Sequence, residues 1–211
     1  MRLRDQIFGA AALALATYVG LVRIAEAKCD EAVGSRGIRL DESAPQDLGA
    51  FGALMARLER IGEGEFAARL EELRRRREVW VAPGLGPDRW AAYVESLGLA
   101  KRIYIRRLAL LSPRAHLYPG GAPGVPEAYQ DAYAFLSLSG AMRHELAHRD
   151  GAIEEADAYA EELAWYRHIA ASSFIAGLGE DERPAWDWAL ESAIRSAETA
   201  ASRAGAAPAT R

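Results

Sequence analysis

Three long helical segments follow one another in the C-terminal part of the chain and constrain its fold more than any other feature. They cover residues 126–150, 152–177 and 181–204. Two shorter segments, residues 45–61 and 65–77, place apolar side chains at the i, i+3, i+4 spacing of amphipathic helices. Because strong helix formers also dominate the composition, the sequence predicts a mainly α-helical fold.

A small amount of β-strand is predicted between these helices. Residues 101–111 alternate, with Ile103 and Ile105 on one face and polar side chains on the other. Residues 79–81 form a shorter apolar candidate strand. An aspartate N-cap and a closing glycine predict a helix at residues 88–97. We therefore expect a mainly α fold with a small β-sheet or hairpin, that is, an α+β domain.

The beginning of the chain has the pattern of a targeting segment. Arg2 and Arg4 precede an uncharged stretch at residues 7–22, whose length falls between a signal-peptide core and a membrane-spanning helix. Ala25-Glu26-Ala27 has the small-x-small form of a cleavage site. We expect an export signal or an uncleaved membrane anchor that associates with the membrane through residues 7–22. The alternative is an Ala-rich helix buried in the fold.

These patterns predict the domain organisation and the side of the membrane. The basic N-terminal flank places the rest of an anchored chain outside the cytoplasm, on the periplasmic or extracellular side. We expect a signal peptide or membrane anchor at residues 1–28, a linker at 29–43, one folded domain at 44–204 and a disordered tail at 205–211.

Charge and cysteine content exclude several classes of function. A formal net charge of −4 argues against a nucleic-acid partner. The one dense basic run, residues 74–77, follows two glutamates and is typical of a solvated helix face. Cys29 is the only cysteine in the sequence, which excludes an internal disulfide and a cysteine-based zinc cluster. The oligomeric state stays open.

The segment from His144 to His148 reads His-Glu-Leu-Ala-His, an HExxH motif late in a predicted helix. Residues i and i+4 lie on one helix face, so both imidazoles can bind one metal ion. Glu145 is then free to accept a proton from a metal-activated water. The alternative is an exposed helix in which two histidines happen to lie four residues apart.

A third ligand is expected from the acidic segment that follows. In an unbroken helix Glu155 would lie about 10.5 Å from His148 along the axis, at 1.5 Å per residue. That is too far for one zinc ion. A turn at Gly151 could fold a second helix back and bring Glu154 or Glu155 to the metal.

The motif and this acidic segment resemble the HExxH zinc metallopeptidases, the zincins, in their glutamate-ligand branch. The five residues from Glu155 to Tyr159 match the pattern Glu-x-x-small-polar of the second helix in that branch. The metzincin pattern HExxHxxGxxH would instead place Glu154 at the third-ligand position, but no methionine follows the motif to form a Met-turn. The resemblance implies a zincin-like domain, bound Zn²⁺, and His144, His148 and Glu155 as ligands.

The same resemblance suggests residues that line the cleft. The strand before the motif helix, residues 101–107, is expected at the lip of the cleft, where an exposed strand edge could pair with substrate backbone; the alternative is an edge strand without a substrate. His168 could donate to a developing oxyanion, although histidines at such positions are more often on the helix surface. Tyr159 and Tyr104 are further candidates for the cleft.

The leading functional hypothesis is zinc-dependent hydrolysis of a peptide or protein substrate, with Glu145 as general base. A second hypothesis is a zincin-like binding or structural module that cleaves nothing. A third is a zinc hydrolase that acts on a non-peptide amide.

Overall fold

The computed structural model describes residues 3–206, with side chains described from residue 13 to residue 205. Arg2 and residues 207–211 of the expected tail lie outside the described residues, as does the side chain of Arg4. The helices are α1 (Leu3–Val33), α2 (Pro45–Arg60), α3 (Gly64–Arg75), α4 (Arg107–Leu111), α5 (Pro113–Leu117), α6 (Glu127–Asp150), α7 (Glu155–Ala170), α8 (Ser173–Gly177) and α9 (Arg183–Ala206). The strands are β1 (Ile38–Arg39), β2 (Val79–Ala82), β3 (Ala91–Ser96) and β4 (Ala100–Arg106).

The expectation of a mainly helical α+β fold with a small sheet is confirmed. The four strands are arranged in the order β1-β2-β4-β3. The β2–β4 pair is parallel, and β1–β2 and β3–β4 are antiparallel. β4 therefore lies inside the sheet, and among the described strands β3 forms the edge next to it.

The two faces of the sheet are covered by different helices. Val79, Val81, Ile103 and Ile105 belong to the main core, which they share with apolar residues of α2, α3, α6, α7 and α9. Alternate strand residues point the other way, because side chains alternate along a strand. They pack against α1 in a second, smaller core formed by Ala25, Cys29, Val33, Trp80, Ala82, Leu85, Ala92, Ala100 and Tyr104.

Residues 88–97, which we expected to be helical, instead contain strand β3. Gly98, interpreted as a helix end, lies in the tight turn of the β3–β4 hairpin. Leu97 and Gly98 have φ values of 54° and 66°, and Leu99 N donates to Ser96 O at 3.0 Å. Positive φ at both central residues is typical of a type I′ β-turn, and three residues separate the paired positions Ser96 and Ala100. The strand expected at 101–111 ends at Arg106, and the rest of that segment forms α4, which begins at Arg107.

The N-terminal helix extends further than expected. α1 continues past residue 28 to Val33, and the segment expected as a linker also contains β1 and a short 3₁₀ turn at Leu40–Glu42. At the other end of the chain, α9 includes Gly205 and Ala206. Among the helices of the described region, none is both long enough and apolar enough to cross a membrane.

The chain reverses direction immediately after the HExxH motif. α6 ends at Asp150, and Gly151 has a φ of 121°, a backbone conformation that L side chains rarely adopt. α7 then runs back along α6: Tyr166 contacts the carbonyl of Leu136, and Arg143 lies 3.5 Å from Glu161. This reversal brings the start of α7 next to the end of α6.

Candidate metal centre

Two histidines and one carboxylate meet where α6 ends and α7 begins. His144 Nε2 lies 3.1 Å from His148 Nε2 and 3.1 Å from Glu155 Oε2. His148 Nε2 lies 3.6 Å from Glu155 Oε1. These three side chains form a cluster that could hold a metal ion, with the ligand atoms all within 4.8 Å of one another.

The spacing and chemistry of the cluster fit a tetrahedral zinc site. Two ligands bound at 2.0–2.2 Å in tetrahedral geometry lie about 3.3–3.6 Å apart, close to the separations seen here. Two imidazole nitrogens, one carboxylate oxygen and an open fourth position form a ligand set typical of catalytic zinc. The residues present therefore fit the ion that the motif implies.

Each histidine is held so that its Nε2 faces the cluster. His148 Nδ1 lies 2.9 Å from the carbonyl oxygen of Ala152, to which it donates. This leaves the Nε2 lone pair of His148 for a metal. His144 Nδ1 faces Glu162 Oε2 at 3.5 Å, a long contact at the limit of hydrogen bonding. A carboxylate or carbonyl behind a metal-binding histidine fixes its tautomer and orientation.

Burial and nearby carboxylates act in opposite directions on His144. Burial lowers its pKa, but Glu162, Glu145 and Glu155 together raise it by more, so the pKa lies above that of an ordinary histidine. Three carboxylates around two imidazoles make the centre attractive to a cation.

Close packing between α6 and α7 holds Glu162 in place. Tyr166 is fully buried, and its hydroxyl lies 2.9 Å from Glu162 Oε1 and 3.2 Å from the carbonyl of Leu136. A Cβ at Gly140 would collide with this hydroxyl and approach Glu162 Oε1 to 2.9 Å. Glycine is therefore required one turn before His144 for Tyr166 and Glu162 to occupy these positions.

Glu145 lies beside the cluster and is bound to the sheet. The backbone N–H of Tyr93 in β3 donates to Glu145 Oε2 at 2.6 Å. Burial raises the pKa of Glu145 above its ordinary value, partly offset by this hydrogen bond and by the two histidines. A carboxylate with a raised pKa beside this cluster is chemically able to accept a proton and release it again.

The open edge of β3 faces the same space. Arg106 N donates to the carbonyl of Trp90, so these two residues form a hydrogen-bonded pair. Because such pairs alternate along an antiparallel ladder, the backbone N–H and C=O groups of Ala91, Tyr93 and Glu95 point away from β4. The edge strand at the site is thus β3, and the expectation that residues 101–107 form it is wrong, since β4 is paired on both sides.

A cavity of about 780 Å³ opens over the cluster. Tyr159 lies in its wall, with its ring centroid 4.4 Å from that of His144. Burial, and then Glu155, raises the pKa of Tyr159, so its hydroxyl stays protonated at neutral pH. Small residues of α9 also line the cavity, namely Ala193, Ser196, Ala197 and Ala200.

Three of the residues proposed from the sequence lie away from this centre. Glu154 is exposed immediately before α7 and is not part of the cluster. His168 is 71% exposed and lies 3.3 Å from Glu63, outside the residues that line the cavity. Tyr104 is fully buried on the opposite face of the sheet, where it donates to Asp30 at 2.7 Å. It does not line the cleft, because its strand position points it towards α1.

Sequence reasoning missed three contributors to the site. The N–H of Tyr93 depends on strand order, which no local pattern encodes. Glu162 could have been predicted from its spacing, since it follows Glu155 by seven residues and thus lies on the same face of α7 two turns later. The position of Gly140 was a weaker indication of its role: a glycine inside a long helix indicates close packing.

Comparisons with known proteins found no relative on which to base an assignment: no protein-family model matches the chain, and neither a curated protein nor a solved structure matches it.

Proposed function

We propose that this protein is a zinc-dependent hydrolase similar to the zincins, which cleaves peptide bonds with Glu145 as general base. The observation that carries the proposal is the convergence of His144, His148 and Glu155 at the spacing of a tetrahedral site, with Glu145 beside them. An HExxH sequence alone does not require a third ligand to lie at this spacing. The open cavity above the cluster leaves room for a water and a substrate.

The ligand types favour zinc. Imidazole nitrogen suits zinc, copper, iron and nickel, whereas magnesium and calcium prefer oxygen ligands. Two histidines and one glutamate are a recurrent catalytic zinc set. When bound, zinc would supply Lewis-acid activation of both a water and the scissile carbonyl.

The chain's own residues would carry the proton. Glu145 is placed to accept the proton that the attacking water loses and to pass it to the nitrogen of the leaving amine. Its raised pKa matches this double role, because a base that is too acidic could not hold the proton during the reaction. Tyr159 offers a protonated hydroxyl in the same cavity as a donor to developing negative charge.

The edge of β3 supports a peptide or protein as the substrate. Apart from the N–H of Tyr93, which already donates to Glu145, its outward N–H and C=O groups can pair with an extended backbone, as in other cases of strand addition. Such pairing would place a peptide beside Glu145, since that carboxylate is bonded to the same edge at Tyr93. A substrate without an extended backbone would gain nothing from this edge.

The test is Glu145→Gln, with Glu191→Gln as the matched control on an exposed position of α9. Glutamine keeps the shape of the side chain but cannot accept a proton at neutral pH. Zinc content by mass spectrometry should be close to one per chain in all three proteins. Digestion of a peptide library should fall at least 100-fold for Glu145→Gln alone, the loss typical of a missing general base.

Two outcomes would contradict the proposal. Activity in Glu145→Gln within a few-fold of the unmodified protein would remove Glu145 as the base. Stoichiometric zinc without cleavage of any peptide would point to a binding module, or to a hydrolase of a non-peptide amide. Cleavage of amide-linked substrates other than peptides would then separate these two alternatives.

A further inference from the structure

Helix α1 combines two halves with opposite surroundings. From residue 13 to residue 24 its side chains are almost all exposed, whereas Ala25 and Cys29 are fully buried and Val33 is nearly so. The buried positions recur every four residues, which places them on one face of the helix. That face lies on the sheet, in the core shared with Trp80 and Tyr104.

Charged groups fix this second half to the sheet. Arg102 is 4% exposed, and its guanidinium lies 3.1 Å from Glu26 Oε1 and 3.1 Å from Asp30 Oδ1. Asp30 also accepts from the hydroxyl of Tyr104 at 2.7 Å and from the backbone N–H of Gly37 at 3.1 Å. A buried arginine needs its partners, because an unpaired buried charge is strongly unfavourable.

Cleavage at the small-x-small sequence would damage this arrangement. A cut after Ala27 removes Ala25 from the core and Glu26 from Arg102. It also leaves the sheet face that Ala25 covers open to water. The contacts of α1 are those of a structural element of the folded domain, whereas a signal peptide is released from the protein it exports.

The first half of α1 is apolar around most of its circumference. Leu13, Leu15, Tyr18, Val19, Leu21 and Ile24 are between 44% and 70% exposed. At 3.6 residues per turn, these six positions are spread over about 240° of the helix. A partner helix or groove covers a narrower stripe, of order 100°. A medium that surrounds the helix on all sides fits the pattern better, and hydrocarbon is such a medium.

We propose that α1 is retained in the mature protein, with residues 13–22 embedded in a lipid bilayer, the exposed Arg23 at the polar boundary of that bilayer, and residues 25–33 forming a permanent wall of the folded domain. In the sequence, the uncharged stretch that ends at residue 22 begins at residue 7, and Arg2 and Arg4 precede it. Ten helical residues extend about 15 Å, against about 30 Å of hydrocarbon, so the proposal concerns insertion into the bilayer and does not require residues 13–22 alone to cross it. This proposal about α1 does not depend on the proposed hydrolysis.

The first experiment is flotation of the full chain with vesicles of phosphatidylethanolamine and phosphatidylglycerol, followed by intact mass of the floated protein. We expect flotation and a mass that includes residues 25 and 26. The variant Leu13→Glu/Leu15→Glu should float at least tenfold less, since charge is poorly tolerated in hydrocarbon. The control Leu97→Asp/Leu108→Glu, at exposed apolar positions outside α1, should float like the unmodified chain.

The second experiment uses the sole cysteine to report docking of α1. Cys29 is buried, so a maleimide should label it only after denaturation. In Cys29→Ala/Lys28→Cys the thiol moves to the exposed neighbouring position and should react at once.

Three results would overturn the proposal. One is a mature chain that begins at Lys28. Another is rapid labelling of Cys29 in the folded protein. The third is a full chain that stays with the aqueous phase, whether as a monomer or through self-association that depends on Leu13 and Leu15; the latter would identify a second copy as the partner of this surface.

Discussion

Glu154 and Glu155 are adjacent, but only Glu155 lies on the side of α7 that faces the histidines. Glu154 still has extended backbone, with φ of −93° and ψ of 140°, and precedes the first helical turn. The helix then sets the direction of Glu155, whose two oxygens contact both imidazoles. A one-residue difference in where the helix begins therefore decides which carboxylate reaches the cluster.

Replacing each glutamate in turn tests this assignment. We expect Glu155→Gln to weaken zinc binding by roughly 100-fold or more, since even outer partners of metal ligands are worth 10–100-fold. Glu154→Gln should bind zinc as the unmodified protein does. Competition with a chromophoric chelator measures both affinities. If instead Glu154→Gln weakened zinc binding and Glu155→Gln did not, Glu154 would be the ligand, as in the metzincin pattern.

At the level of the helices, the packing of α7 against α6 controls the geometry of the site. α7 approaches α6 closely at Gly140, and the space left by the missing side chain holds the Tyr166 hydroxyl and Glu162. Glu162 in turn faces the Nδ1 of His144. The geometry of the first histidine therefore depends on a glycine that is not itself part of the site.

Gly140→Ala should both destabilise the protein and weaken zinc binding. Forcing Tyr166 and Glu162 aside should cost about 1–3 kcal/mol, the usual range for overpacking, and should release His144 from its outer partner. Gly52→Ala is the matched control, because Gly52 lies in α2 with open space around it and alanine is the better helix former there. Urea unfolding and zinc titration of both variants give the two readouts. Equal stability of the Gly140 variant and the unmodified protein would contradict this account of the packing.

The helices were largely predictable from the sequence, whereas the sheet was not. α2 and α3 have the apolar periodicity of amphipathic helices, α6 and α9 lie in long segments rich in strong helix formers, and the break at Gly151 was visible because glycine ends helices. Strand β3 was mistaken for a helix, since Asp88 and Gly98 resemble a cap at each end. Its true state depends on pairing with β4, a tertiary contact that overrides local preference.

The residues of the candidate site likewise fall into those that the sequence could predict and those that it could not. His144, His148 and the two glutamates could be proposed from helix geometry and one turn. The contact between Glu145 and Tyr93, the strand that borders the site and the position of Tyr104 all follow from strand order. Strand order is set by the packing of the whole sheet, so no short segment reveals it.

At the scale of the whole molecule, bound metal should stabilise the fold. The cluster joins α6 to α7, which together contribute much of the main core. A ligand at 100 times its dissociation constant adds about 2.7 kcal/mol to the free energy of unfolding. For a chain of this length we therefore expect zinc to raise Tm by about 5–10 °C.

Differential scanning calorimetry of metal-free protein, with and without added zinc, measures this effect. His148→Ala should show no such rise, and a chelator should abolish it in the unmodified protein. A similar rise in His148→Ala would show that zinc stabilises the protein through another site.

The sequence separations at the site have a consequence for the order in which the candidate site would form during folding. His144 and Glu155 are 11 residues apart, whereas the bond between Tyr93 and Glu145 joins positions 52 residues apart. Closing a short loop costs less entropy and is faster than forming a long-range contact. A nascent or partly folded chain can thus gather its metal ligands as a local helical hairpin, while the base reaches its position only when the sheet is complete. Metal binding and placement of the proposed base would then be separate events in time, so a chain that had already bound an ion would lack the proposed base at the site until its strands had paired.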